Sequence, residues 1–314
     1  MVSFRFYLVS VIAVFLALAV GIAMGATVID KATVDLLRNN IRTAEAHASA
    51  ADQQHRVDSD KLQQATAFED AAAATLVKGR LPGIPVVMVG VAGGQDQQPN
   101  MDKLHDLLVA AGAEVEATVT LTAKWKLDKP ADATALADAL TLPSTTPPEQ
   151  LRTIALDRLA AAWSGGLEVP SPLPTLVRLQ FAQLKAGTVA DAVAIPALHS
   201  RFVAVSSTQP EVPDDVLAVP FVQELARNLP FQVMAAEAGQ VANPAEKKPE
   251  IRELLVGPLR SNDLGVSSKL ATVDNIDEPR GRMAAVYALQ NLGAQKVGHY
   301  GVGAHADGLF PPPQ

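Results

Sequence analysis

Residues Ile84–Leu121 read IPVVMVGVAGGQDQQPNMDKLHDLLVAAGAEVEATVTL, and this stretch decides the fold class. Ile84 to Val91 is a short apolar run rich in β-branched side chains, the pattern of a strand buried on both faces. Gly93 to Asn100 reads as a loop. Met101 to Ala111 places Leu104, Leu107, Leu108 and Ala111 at helical spacing, and Glu114 to Leu121 alternates like a second strand. Together they predict one βαβ unit.

Downstream, Pro148 to Trp163 and Leu173 to Lys185 read as amphipathic helices separated by the breaker-rich Ser164 to Pro172. Phe202 to Ser206 and Phe231 to Ala235 read as strands on either side of a helix from Val216 to Asn228. A last helix, Pro279 to Asn291, starts with proline where a missing N–H costs nothing. Alternating strands and helices predict an α/β fold, a Rossmann-like layered domain with a mainly parallel sheet. The polar Ala238 to Glu250 reads as a surface excursion.

Upstream of the α/β region, Leu81-Pro82-Gly83 is a stop signal, and Lys31 to Lys78 before it contains no Gly or Pro. This segment predicts one uninterrupted helix. Val34, Leu37, Ile41, Ala44, Ala48, Ala51, His55, Asp58, Leu62 and Ala65 follow the 3-4 spacing of a coiled-coil seam, which predicts a homodimeric stalk. His55 and Asp58 weaken the seam and read as register-setting residues rather than metal ligands.

Phe6 to Ile29 is 24 residues without a charge. At about 1.5 Å per residue such a helix crosses a hydrocarbon core of about 30 Å. Ala17-Leu18-Ala19 offers a competing reading as a cleaved signal peptide, but the apolar stretch exceeds the usual h-region of about 7–15 residues and favours an uncleaved anchor. Gly21-x-x-x-Gly25 would let two such helices approach closely. Arg5 precedes the span while Lys31, Arg38 and Arg42 follow it, so loop charge leans slightly against export of the body. The expected organisation is a transmembrane anchor at 1–30, a coiled-coil stalk at 31–80, an α/β domain at 81–309 and a Pro-rich tail at 310–314.

Composition removes several functions. With 33 acidic and 26 basic residues, a net charge of −7 and no long Lys/Arg run, the chain lacks the cationic surface that displaces counterions from nucleic acid. Cysteine is absent, which excludes disulfides, thiolate metal sites and cysteine nucleophiles. Gly90-Val91-Ala92-Gly93-Gly94 occupies the place of a phosphate-binding loop but does not match G-x-G-x-x-G. Neither a P-loop, a G-x-S-x-G elbow nor an H-E-x-x-H helix occurs. No catalytic or cofactor-binding residue is assigned, and the chain reads as non-enzymatic.

One candidate site remains. Val273 to Arg282 (VDNIDEPRGR) precedes the last helix and Gly298 to His305 (GHYGVGAH) follows it. His299 and His305 are the candidate metal ligands: imidazole suits Cu(II) or Zn(II), and Asp274 or Asp277 would complete a site if the fold returned them. The alternative assigns Asp277 to helix capping, the glycines to turns and His299 to an ordinary hydrogen bond. The six Met form no M-x-x-M cluster, so the sequence offers no soft-sulfur site for Cu(I).

ATVDNIDEPRGRMAAVYAL followed by GHYGVGAHA resembles the closing signature of the actinobacterial MctB-like copper-transporter family, and VSVIAVFLALAVGIAMG is similar to that family's opening anchor. The resemblance implies a single-pass protein of the cell membrane with its body outside the cytoplasm, linked to copper efflux and homeostasis. It also implies a second role, because related actinobacterial proteins are associated with cell separation through a membrane or cell-division partner and control of peptidoglycan hydrolysis. A single apolar helix cannot enclose a pore, so the stalk and head read as a dimeric scaffold beside the copper role.

Overall fold

The computed structural model describes residues 4–27, 31–91, 93–165, 170–188, 199–239 and 254–312. The chain divides into two compact units, Met1–Ala65 and Thr66–Gln314. In the first unit, helix α1 (Phe4–Thr27) contains an apolar stretch, Phe6–Gly25, of mean hydropathy 2.6, long and apolar enough to cross a membrane. Helix α2 (Lys31–Val77) is continuous, as the lack of Gly and Pro predicts. Leu37, Ile41 and Leu62 on it are exposed in the single chain.

The second unit contains the last turns of α2 and a sheet with helices on both faces. Its elements are β1 (Pro85–Gly90), α3 (Gln97–Ala110), β2 (Glu114–Leu121), α4 (Pro130–Ala139), α5 (Pro148–Ser164), α6 (Leu173–Arg178) and β3 (Ala182–Ala186). They are followed by β4 (Arg201–Val205), α7 (Ala218–Asn228), β5 (Val233–Ala236), α8 (Val256–Arg260), β6 (Leu270–Val273), α9 (Pro279–Leu292) and β7 (His299–Tyr300). Among the described residues the sheet has the order β3-β2-β1-β4-β5-β6-β7. Every neighbouring pair is parallel except β2 with β3. The chain reverses its direction of travel across the sheet between β1 and β4.

The period of two along each strand builds two cores. Val87, Val89, Phe202, Ala204, Val233 and Ala235 face one side and pack with residues of α4 to α8, where Trp163 stacks on Phe202 at 5.2 Å. Val86, Met88, Val203, Val205, Met234 and Val273 face the other side and pack with α3, α9 and Ala73 and Val77 of α2. Since β1 is central and covered on both faces, it carries an almost continuous apolar run, with each buried Val contributing about 1.5–3 kcal/mol.

Several elements depart from the sequence reading. The helix expected over Leu173–Lys185 ends at Arg178, Gln180 turns with φ 63°, and β3 follows. The open edge of β2 supplies the reason. Ala117–Leu121 pairs antiparallel with Ala182–Ala186, while Phe181 is buried against Trp125, whose Nε1 donates to the Phe181 carbonyl at 2.8 Å. Helix α3 starts at Gln97 rather than Met101, because Pro99 in a first turn forfeits no intrahelical hydrogen bond. The strand expected from Phe231 starts at Val233, since Phe231 has φ 66°. Short β6 and β7 had no sequence signal that stood out from loop. The Ala238–Glu250 excursion lies outside the described residues beyond Gly239.

Candidate functional site

The two C-terminal motifs meet at the carboxyl ends of β6 and β7, and Asp274 is their centre. Its side chain and that of Arg260 are both fully buried, with Arg260 Nη1 donating to Asp274 Oδ2 at 2.8 Å. The backbone N–H groups of Val302 and Gly303 donate to the same carboxylate at 2.8 and 2.9 Å. Arg260 also donates from Nη2 to the Tyr300 carbonyl at 2.9 Å and from Nε to Thr272 Oγ1 at 2.8 Å. Gly301, at φ 134°, passes so close to Asp274 that any Cβ would collide with the carboxylate. Gly281 likewise lies against the Asn275 carbonyl, which lets α9 start directly beside the motif.

Asp274 thus anchors the glycine loop from within, and all the neighbours just named are protein groups. Asp277 does not cap α9: Glu278 stands at the N-cap position, and Asp277 Oδ1 instead accepts the Gly239 N–H at 2.8 Å. The capping reading of Asp277 is therefore corrected. The chain returns after β5 to place Gly239 there, which no local pattern announces.

His299 is half-buried in β7, with Nδ1 3.0 Å from Thr272 Oγ1. Its backbone exchanges hydrogen bonds with Asp307, the N–H donating to Oδ2 at 2.8 Å and the carbonyl accepting from Asp307 N at 2.7 Å. Burial, helped by the Arg260 charge, holds the imidazole below its ordinary range, so it is neutral at neutral pH. His305 is exposed at the turn of the loop with φ 58°. Among the described residues no three His, Asp or Glu side chains converge in a manner suited to a metal ion. The donors present do not form a ready-made copper cage.

The direction reversal between β1 and β4 is where open α/β sheets ordinarily take ligands. Here the chain's own side chains fill it. Gln97 Nε2 donates to the carbonyls of Val91 at 2.6 Å and Val205 at 2.9 Å, across the mouth of both strands. Asp96 accepts from Ser207 Oγ and from Thr208 N, the latter at 2.9 Å. Burial alone would raise the Asp96 pKa, but these donors outweigh it and hold the carboxyl below the usual range. Gly94 packs so tightly that a Cβ would strike Ser207. Behind this plug, Asp214 is buried, accepts from Ser206 Oγ at 2.7 Å, and has its pKa pushed up to about 6 by burial.

The fold also gathers residues that the sequence leaves far apart. Met88, Met101, Met234 and Met283 are buried in the same core layer under α3 and α9. Met88 and Met234 both align with Val203, one strand to either side. No local spacing signals this grouping, because it is created by strand order.

Comparison with known proteins places these motifs in a lineage. The family described as "Copper transport outer membrane protein, MctB" matches residues 1–311. Proteins named Copper transporter MctB from Mycobacterium bovis and Mycobacterium tuberculosis are 25% identical to this chain, over 96% of its length and 97% of theirs. With the match extending from the apolar first helix through the Asp274 and glycine-loop motifs, the chain belongs to the MctB family.

Proposed function

We propose that this protein is a non-enzymatic, single-pass envelope protein that serves copper homeostasis, with α1 in the cytoplasmic membrane and the head outside it. The observation that carries the reading is the family match along residues 1–311, from the membrane-grade helix to the C-terminal loop. The sheet order and its reversal at β1/β4 support a Rossmann-like head whose ligand crevice has been closed by Gln97 and Asp96. Copper is cargo in this reading. His299 and His305 are the side chains that the loop offers to Cu(II), and binding through His299 Nδ1 requires release of Thr272. Efflux by this chain alone would need anchors to assemble, because one helix encloses no pore.

The test is growth of a deletion strain in graded copper, complemented by the wild-type gene or by His299→Ala plus His305→Ala. Loss of tolerance in the deletion strain and its restoration by the wild-type gene support the copper role, and restoration by the double variant as well would remove direct ligation by this loop. Unchanged tolerance in the deletion strain would overturn the copper reading. Calorimetric titration of the full chain in detergent with Cu(II) measures ligation independently.

A second reading is favoured by exposed Leu37, Ile41 and Leu62 on α2, apolar side chains at seam positions that a single chain leaves in water. In it, α2 forms the coiled-coil stalk of a homodimer that presents the head to a membrane or cell-division partner and regulates cell separation. Leu37→Asp plus Ile41→Asp should convert a dimer to a monomer in light scattering while leaving the head folded. A monomeric wild-type protein in detergent would end this reading.

A further inference from the structure

Arg282, on the first turn of α9 and almost wholly buried, joins three parts of the head. Its Nη1 donates to the carbonyls of Ile276 at 3.0 Å and Asp277 at 2.7 Å. Its Nη2 donates to Asp70 Oδ1, on the last turns of α2, at 2.7 Å. Those two carbonyls belong to the turn that directly follows Asp274, and Asp274 holds the Val302 and Gly303 N–H groups. A contiguous series of hydrogen bonds and three chain residues therefore runs from α2 to the glycine loop. Further along α9, the Tyr287 hydroxyl donates to the Leu76 carbonyl of α2 at 3.1 Å, and the Arg80 guanidinium lies 4.7 Å from the Tyr287 ring centroid. Phe310 of the C-terminal segment meets the same ring edge-on at 5.0 Å.

We propose that Arg282 is a positioning residue that makes the order of the loop Gly301–Gly308 depend on how the last turns of α2 are held. The loop needs holding: Gly301 and His305 both have positive φ, and little regular strand pairing runs through it. Asp274 holds the loop, the 275–277 turn positions Asp274, and the planar fork of Arg282 fixes that turn while engaging Asp70. Releasing Asp70 frees the fork to follow solvent, and the turn and loop relax with it. An event that displaces the end of α2 is thereby read at the exposed face around His305. This inference stands apart from copper binding and from the oligomeric state.

Hydrogen exchange of the full-length chain in detergent micelles, read by mass spectrometry, tests it with Asp70→Asn, Asp70→Glu and Arg282→Lys. Asp70 is half exposed, so its variants fold even if the Arg282 variant does not. Asp70→Asn should raise exchange in 301–308 about two- to fivefold, the range expected from losing a partly exposed pair, while peptides of β1 and β4 keep the wild-type rate. Asp70→Glu should retain the wild-type pattern, and Arg282→Lys should loosen the loop further. Exchange that rises only within 66–78 would overturn the proposal, as would a uniform rise that includes β1 and β4.

Discussion

The guanidinium of Arg260 and the carboxylate of Asp274 meet at 2.8 Å with neither side chain exposed, and the carboxylate also receives two N–H groups of the glycine loop. Charges taken out of water at this depth are tolerable only because each is matched by an opposite charge and by further donors or acceptors. Asp274→Asn keeps the shape, but removes the charge and points an amide donor where acceptors are needed. Denaturant unfolding of the variant should show a loss of about 3–5 kcal/mol, the usual consequence of stranding one member of a buried pair.

Gly301→Ala should cost about 1–3 kcal/mol and loosen the 301–308 loop, because φ 134° is closed to a side chain and the new methyl would strike Asp274. Thermal unfolding checks the first effect, and NMR line shapes of Val302 and Gly303 check the second. The neighbouring Gly303→Ala, whose N–H is the contact that matters, should be milder.

Asp214 gives the protein a pH-dependent stability. Burial raises its folded-state pKa to about 6 from 3.8, assisted by the Asp215 charge and opposed by the Ser206 hydroxyl. A raised pKa means that the folded state binds the proton more tightly than the unfolded one. The stabilisation is complete below about pH 3.8, fades as pH rises, and is gone above about pH 6. Tighter proton binding of this size corresponds to about 3 kcal/mol across that window. Asp214→Asn should flatten this part of the stability-against-pH curve, leaving the slopes from other groups in place.

Gln97→Ala should destabilise the head by about 1–3 kcal/mol, since the Val91 and Val205 carbonyls lose their shared side-chain donor at the closed mouth of the sheet. Gln97→Glu should be worse than Ala, because a carboxylate cannot donate to either carbonyl. Chemical denaturation of the three proteins gives the ranking.

Parts of this architecture are legible residue by residue. Ile84–Leu121 declares β1, α3 and β2 through local periodicity, and the unbroken Lys31–Lys78 declares α2. Pro148 and Pro279 mark helix starts because the missing N–H falls where no intrahelical partner exists. Leu173–Lys185 is different. Its spacing fits a helix, yet the unpaired edge of β2 draws Ala182–Ala186 into the sheet, and non-local pairing outweighs local preference.

The candidate site follows the same division. The sequence by itself determined that the chain begins with a membrane-grade helix, continues in a long uninterrupted helix, and carries an α/β head with two Gly- and Asp-rich motifs around its last helix. Those features are local, set by hydropathy, by the lack of helix breakers and by periods of 2 and 3.6. Only the tertiary structure decided that Asp274 holds the glycine loop, that Asp277 turns to Gly239 instead of capping α9, and that Arg282 reaches across to Asp70. It also placed four distant methionines in one layer and closed the crevice between β1 and β4 with Gln97. Each of these joins residues that the packing of strands and helices brings together, and partners separated by tens to hundreds of residues leave no periodic trace in the chain.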